Sequence, residues 1–352
     1  MRGIGALAIV VGHALIVFDL YKFVPHCQCG VDLFFALSGF VICHAYHERM
    51  QAGMSAGEFT VRRLIRLYPI IPVGVVLGAA IYSVRLIVHH ERNLLAGVAG
   101  SSLLHLLFLP SPLLFGLDHD EGWTIDPPLW SLTAELIASL AFGFGLWKLR
   151  LRTLAAFALL GALGFGYYAF DSGMTNIGGQ WLLVHVGVVR VVYPFCAGMI
   201  LWHLTREHRP GWTMHPAFAI GLMLAVMMAP DMGRFNLAYG LFADWVAVPA
   251  LVYVGAFRSS VDNRGVLLLG EISYAVYLVH FPILRAMCFA SKLVGVFAHP
   301  ALLIACVVIV SVVAGYVVWR YWDVPVRAKL TAWSKAKRAE SVRRPALGAR
   351  AD

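Results

Sequence analysis

Apolar residues in this chain come in long unbroken runs, not in the alternation of half-buried strands or the narrow stripe of a soluble amphipathic helix. Ten runs approach the ~20 residues that cross a hydrocarbon core. They predict spanning helices at Gly3 to Phe18, Cys29 to Tyr46, Leu67 to Val88, Leu129 to Trp147, Thr153 to Phe170, Trp181 to Trp202, His215 to Ala229, Ala238 to Phe257, Val266 to Phe289 and Pro300 to Trp319. An eleventh stretch, Leu94 to Pro110, carries Ser101, Ser102 and His105 and ends at the Pro110-Ser-Pro112 break, which predicts an interfacial or re-entrant segment. Arg2 ahead of the first run resembles the head of a signal peptide, but His13 inside it and the lack of a small-residue cleavage site before Asp19 keep the run in the mature chain. The expected fold is an all-α polytopic membrane helix bundle of about ten transmembrane helices. It occupies residues 1–333, followed by a basic tail over 334–352 that is polar and expected to be disordered.

Composition sharpens this reading. Of 352 residues, 60% are hydrophobic and 13% charged, against about 25% charged in soluble domains, which excludes an ordinary soluble enzyme. The net charge of +9 could suggest a nucleic-acid partner, but nine of the 28 Lys and Arg fall between Arg320 and Arg350, as in a cytoplasmic tail beside anionic lipid. With both termini in the cytoplasm, the cytoplasmic segments hold 21 basic residues and the external ones four: Lys22, Arg92, Arg234 and Lys292. That asymmetry is what the retention of basic loops inside predicts. The six cysteines are scattered, and Cys27-x-Cys29 beside His26 lacks the further ligands of a zinc site, so these three read as solvated loop residues and no metal is expected.

Ionisable groups in apolar helices are costly unless paired or facing water, which makes each a functional candidate. Arg2 and His13 are 11 residues apart, on one helical face to within about 20° and about 16 Å apart along the axis; His13 is expected near mid-membrane, above a cytoplasmic arginine. Arg62, Arg63 and Arg66 gather before Tyr68-Pro69, with Arg63 and Arg66 on one face, and guanidinium forks suit phosphate oxygens. Asp32 opens the second run and Glu135 lies a turn or two into the fourth. Both are expected in the external half with Arg190 and Arg285, where the four could neutralise one another. Ser273, Tyr277 and His280 form a polar stripe in the ninth run, as a cavity-lining face would. Intramembrane His and Glu would also serve a proton-coupled transporter or flippase, and a structural scaffold would need none of them.

Six stretches, in order and spanning nearly the whole chain, resemble acyltransferase family 3, integral membrane enzymes that O-acylate bacterial surface glycans. They are Arg2 to His13, Gly30 to Ile42 (GVDLFFALSGFVI), Phe59 to Pro69 (FTVRRLIRLYP), Trp130 to Glu135 (WSLTAE), Gly270 to Pro282 (GEISYAVYLVHFP) and Tyr321 to Pro325 (YWDVP). The chain departs from the family pattern in starting one residue before its arginine and in carrying Asp323 where glutamate is more usual. The hydrolase-like domain that some relatives carry outside the membrane is not seen, so the membrane part or a separate partner would complete the transfer.

The resemblance implies transfer of an acyl group, by the family's habit acetyl, from cytoplasmic acyl-CoA as co-substrate, with no bound cofactor, to a hydroxyl of a glycan or lipid-linked sugar at the outer side of the bacterial inner membrane. Arg2, Arg62, Arg63, Arg66 and Tyr68 are the expected donor site, and His13 and Glu135 the catalytic pair, with histidine the natural general base near neutral pH. Asp32, Ser38, Trp130, Ser131, Ser273, Tyr277 and His280 are expected to line the acceptor pocket. His13 would either deprotonate the acceptor or carry the acyl group; Glu135 or Asp32 would orient it or receive sugar hydroxyls; Tyr277 or His280 would donate to the oxyanion.

Overall fold

The computed structural model describes residues 1–17, 20, 23–117, 121–207, 214–257, 263–294 and 299–348. Phe18, Asp19, Lys22, Arg209, Arg258 and Arg350, which enter the run boundaries and the loop charges above, lie outside the described residues. All regular structure among the described residues is helical. The helices are α1 (Arg2–Val17), α2 (Cys29–Gln51), α3 (Ala56–Leu67), α4 (Ile71–Val88), α5 (Leu95–Leu106), α6 (Leu129–Phe144), α7 (Leu151–Ser172), α8 (Val184–Glu207), α9 (Pro216–Met227), α10 (Asn236–Phe242), α11 (Val248–Ala256), α12 (Arg264–Val294), α13 (Pro300–Val318) and α14 (Val324–Gly348).

Seven helical segments among the described residues are long and apolar enough to cross a membrane, and α1, α6 and α9 are shorter apolar helices. These ten segments fall on the ten apolar runs. The eleventh run becomes α5, whose 12 residues reach only about 18 Å, short of a ~30 Å core.

Backbone proximity sets the core of the bundle. A Cβ on Gly39 of α2 would lie 2.0 Å from the Phe195 carbonyl oxygen of α8, and one on Gly198 would lie 2.0 Å from that of Ala36. The two helices therefore meet backbone to backbone, as small residues permit in membrane packing. That crossing brings Asp32 against Arg190: Nε donates to Oδ1 at 3.0 Å and Nη2 to Oδ2 at 2.5 Å, with Nη1 on the Ile177 carbonyl at 3.1 Å. The rings of Trp130 and Phe165 stand 5.5 and 5.3 Å from the guanidinium carbon. Both charged groups are almost wholly buried, so the fork, the carbonyl and the two rings replace water around them.

Two π-turns, Ala243–Ala247 and Trp319–Asp323, join α10 to α11 and α13 to α14. Each precedes a proline by one residue, Pro249 and Pro325. A proline leaves the carbonyl four residues earlier without its helical donor, and the Trp245 carbonyl is indeed taken by the Tyr193 hydroxyl.

The structure departs from the sequence expectation in two places. The segment expected to be disordered continues α14 as helix to Gly348: alanine, lysine and arginine are strong helix formers, and Arg338 reaches back to Glu58 of α3. His26, Cys27 and Cys29, expected to be solvated, are buried, because Gly12 lets the Cys27 side chain pack directly on α1.

Candidate functional site

Ser55 caps α3 by accepting from the Glu58 N–H at 3.1 Å. From that start Phe59, Arg63 and Leu67 form the buried stripe at i, i+4, i+8. Arg63 is thus turned into the bundle while Arg62 and Arg66 stay half-buried at the edge.

A narrow cavity of about 70 Å³ lies beyond Arg63, lined by Arg2, Arg66, Ser38, Glu135, Ser273 and Tyr277 among others. A continuous polar chain crosses it: Arg2 Nη2 donates to Ser38 Oγ at 3.3 Å, Ser38 Oγ to Glu135 Oε1 at 2.5 Å, and Arg63 Nη2 to both Glu135 Oε1 and Ser139 Oγ at 3.2 Å. Three arginines thus face one carboxylate, leaving a site biased toward anions. Glu135 belongs to this arginine end and not, as expected, to the level of Asp32. The reason is the approach to α6: Trp123, Thr124, Ile125 and Asp126 are all buried, so the helix begins inside the bundle and its second turn meets the arginines.

A second cavity of about 220 Å³ lies on the opposite side, lined by His13, Gln28, Glu121, Trp130, Gln180 and Tyr277 among others. Val31 and Tyr277 line both cavities, so these two side chains form the wall between them. The Ser131 hydroxyl donates to the Pro128 carbonyl at 2.9 Å. Its single proton being used there, the 2.8 Å contact between Ser131 and Tyr277 has the phenol as donor. Tyr277 is held across the gap by that bond.

His13 forms a hydrogen-bonded pair with His280, Nδ1 to Nε2 at 2.8 Å, with the rings stacked. The roles follow from the next link. His280 Nδ1 lies 2.6 Å from the Tyr277 carbonyl oxygen, which only accepts, so His280 carries its proton on Nδ1 and, when neutral, presents a bare Nε2. His13 is then the donor through Nδ1, and its own Nε2 is left as the basic lone pair. A carbonyl and a second imidazole thereby fix the tautomer of a half-buried histidine, as a buried carboxylate does in hydrolase triads.

Several expected acceptor contacts are not formed. His280 is fully buried and backs His13 instead of lining the cavity. Asp32 is locked to Arg190 and lines neither cavity. Tyr68 is exposed, stands near Phe108, and lines none of the cavities described here. Ser38, Ser131 and Ser273 face the arginine cavity, Trp130 the histidine cavity. Tyr274, a neighbour of the polar stripe that the sequence reading left out of the site, lines the arginine cavity and donates to the Leu67 carbonyl at 2.7 Å, bonding α12 to α3.

The apolar bundle thus holds an arginine–carboxylate cavity on one side of a tyrosine and a tautomer-fixed histidine on the other. Over residues 1–320 the chain matches the acyltransferase domain of acyltransferase family 3, and it belongs to that family of membrane acyltransferases. Among curated relatives it is 33% identical to Protein 2 in picA locus of Rhizobium radiobacter over 151 residues, covering 40% of this chain and 77% of that protein. It is 24% identical to Nodulation protein 10 of Rhizobium leguminosarum bv. viciae over 287 residues, covering 77% of this chain and 74% of that one. No solved structure matches it.

Proposed function

We propose that this protein moves an acyl group, acetyl being favoured, from acyl-CoA entering at the arginine end to a hydroxyl of a glycan or lipid-linked sugar received at the histidine end, with the arginine end facing the cytoplasm of the bacterial inner membrane. The observation that carries this reading is the pair of cavities meeting at Tyr277, one suited to an anionic donor and the other presenting a basic imidazole nitrogen. The basic loops and the α3 arginines favour the same orientation.

The chemistry balances with His13 as general base. Its Nε2 takes the proton of the acceptor hydroxyl while that oxygen attacks the thioester carbonyl. The tetrahedral intermediate collapses by breaking the C–S bond, and the proton on Nε2 goes to the departing thiolate, giving ester and free thiol. Gln28, Glu121 and Gln180 offer the donors and acceptors that sugar hydroxyls need, and Trp130 a flat apolar face for the ring. Glu135, bonded to Arg63 and Ser38, holds the arginine cavity in shape and has no contact with His13 among the described residues.

His13→Ala is the direct test. Mass spectrometry of surface glycans from cells producing the wild type should show a sugar heavier by one acyl unit, absent with the variant at equal membrane abundance. Unchanged acylation in the variant removes His13 from the mechanism.

A further inference from the structure

A third cavity lies outside the machinery described so far. It is a cleft of about 670 Å³ between α3 and α14, lined by Arg62 and Arg66 from α3, by Arg327, Lys335 and Arg338 from α14, and by Glu58. Five cations therefore face one carboxylate in the lining, with a second, Asp323, paired to Arg327 at 2.7 Å. Glu58 is shared by Arg62 and Arg338, while Arg66 and Lys335 make no ion pair among the described residues. Arg66 also lines the narrow arginine cavity, so the two spaces adjoin at that side chain. The turn leading into α14 is tied to the end of α3 by Trp322, whose indole N–H donates to the Pro69 carbonyl at 2.6 Å.

Size divides the labour between the two spaces. Sites for ligands of nucleotide size are of the order of 300–1,000 Å³; the cleft falls in that range, and the arginine cavity, at about 70 Å³, accepts no more than a thin chain. Arg63 and Arg2 are moreover engaged with Glu135 and Ser38, whereas the cleft holds a surplus of positive charge on side chains that reach solvent. Guanidinium and ammonium groups converging from two helices bind phosphate-bearing anions.

We propose that the cleft is the phosphate-binding subsite for the nucleotide end of the donor, with α14 supplying Arg327, Lys335 and Arg338 opposite Arg62 and Arg66, and that the neck beyond Arg66 admits only the thioester-bearing arm. This rests on acyl-CoA being the donor. The same chemistry would also attract a phospholipid headgroup, and the two sources are separable by experiment.

The test uses the full-length protein in phosphatidylcholine nanodiscs and measures binding of coenzyme A, dephospho-coenzyme A and pantetheine to the wild type, to Lys335→Ala/Arg338→Ala and to Lys335→Glu. Wild-type affinity should fall in that order of probes as phosphates are removed. Each lost cation should weaken coenzyme A about tenfold, the scale of one charge-assisted contact, so that in the double variant the gap between coenzyme A and pantetheine narrows by about a hundredfold. Wild-type coenzyme A affinity in both variants overturns the proposal while leaving the acyl-CoA reading intact. Absence of both coenzyme A binding and acetyl-CoA consumption by the wild type overturns the two together. If the variants keep coenzyme A affinity and lose only the thermal stabilisation given by added phosphatidylglycerol, the cleft is a lipid site and the proposal fails.

Discussion

Replacing His280 with leucine tests whether the reactive face of His13 is set from behind. In the intact protein the Tyr277 carbonyl accepts from His280 Nδ1 at 2.6 Å and His280 Nε2 accepts from His13 Nδ1 at 2.8 Å. Leucine keeps the site apolar but removes the acceptor, leaving the Nδ1–H of a half-buried imidazole without its partner, at a cost of about 1–3 kcal/mol. The ring recovers part of that by turning or by exchanging tautomers, and either change takes the bare Nε2 away from the hydroxyl it must deprotonate. At 1.36 kcal/mol per decade the lost contact corresponds to about a 5- to 150-fold rate loss, and a displacement of ~1 Å in a reacting group costs on the order of 10²-fold. Both routes predict kcat/KM lower by one to two decades, with the KM for acyl-CoA little changed if the donor phosphates bind, as proposed, at the other end. Glutamine at position 280 returns an acceptor oxygen near the lost Nε2 and should recover most of the activity. The assay is thiol release from acetyl-CoA by purified protein supplied with a membrane glycolipid extract. Wild-type kcat/KM in His280→Leu, or equal losses in the leucine and glutamine variants, would show that His280 only fills space.

Tyr277→Ala removes most of the wall between the cavities and should raise acyl-CoA hydrolysis without acceptor several-fold while lowering transfer; a variant with no rise in hydrolysis argues that the wall does not exclude water. Arg190→Met leaves Asp32 buried without its fork, which costs about 3–5 kcal/mol when one partner of such a pair is removed. Its thermal unfolding in detergent should fall sharply and be partly restored by Asp32→Asn in the same chain, and a single variant as stable as the wild type would contradict the buried pairing. Gly39→Leu forces side-chain atoms into the Phe195 backbone and should abolish the monodisperse folded species on size-exclusion, whereas Gly221→Leu, where a Cβ meets nothing within 4 Å, should not.

The apolar helices were legible because hydrophobic length is a property of one segment at a time: each of the ten apolar runs needs no partner to be recognised, though among the described residues only seven of the segments are long enough to cross a membrane. The clustering of the α3 arginines was legible for the same reason, though the i, i+3 pairing of Arg63 with Arg66 was not kept: Arg63 joins the buried stripe with Phe59 and Leu67, and Arg66 stays at its edge. What escaped depends on segments far apart in the chain. Glu135 looked external by its distance from the start of α6, yet that start is pulled into the bundle by the burial of Trp123 to Asp126. Asp32 could not be told from a pocket carboxylate until Arg190, 158 residues on, was found beside it. His280 shares a stripe with Ser273 and Tyr277, but its ring is taken up by the Tyr277 carbonyl and by His13 of α1, a contact between helices far apart in the chain. Of the α14 cations, Lys335 and Arg338 sat in a stretch whose polarity alone suggested disorder, and their place opposite α3 depends on how the two helices pack.

On the proposed chemistry the wall at Tyr277 has a purpose. A thioester beside a basic imidazole in a wet cavity is exposed to water as readily as to an alcohol, so an enzyme working across a membrane gains by keeping donor and base apart until the acceptor fills the outer cavity. The hydrogen bond that donates the phenol to Ser131 holds that separation, and it is weak enough, at about 0.5–1.5 kcal/mol net, to be exchanged for a contact with an arriving hydroxyl. Tyr277 and His280 lie three residues apart on α12, and the carbonyl of the first orients the second. A shift of Tyr277 that opens the wall therefore acts on the same turn that sets the tautomer of His13. Access to the thioester and the aim of the base are on this geometry mechanically linked, which places substitutions at Tyr277 among those that should alter hydrolysis and transfer in opposite directions.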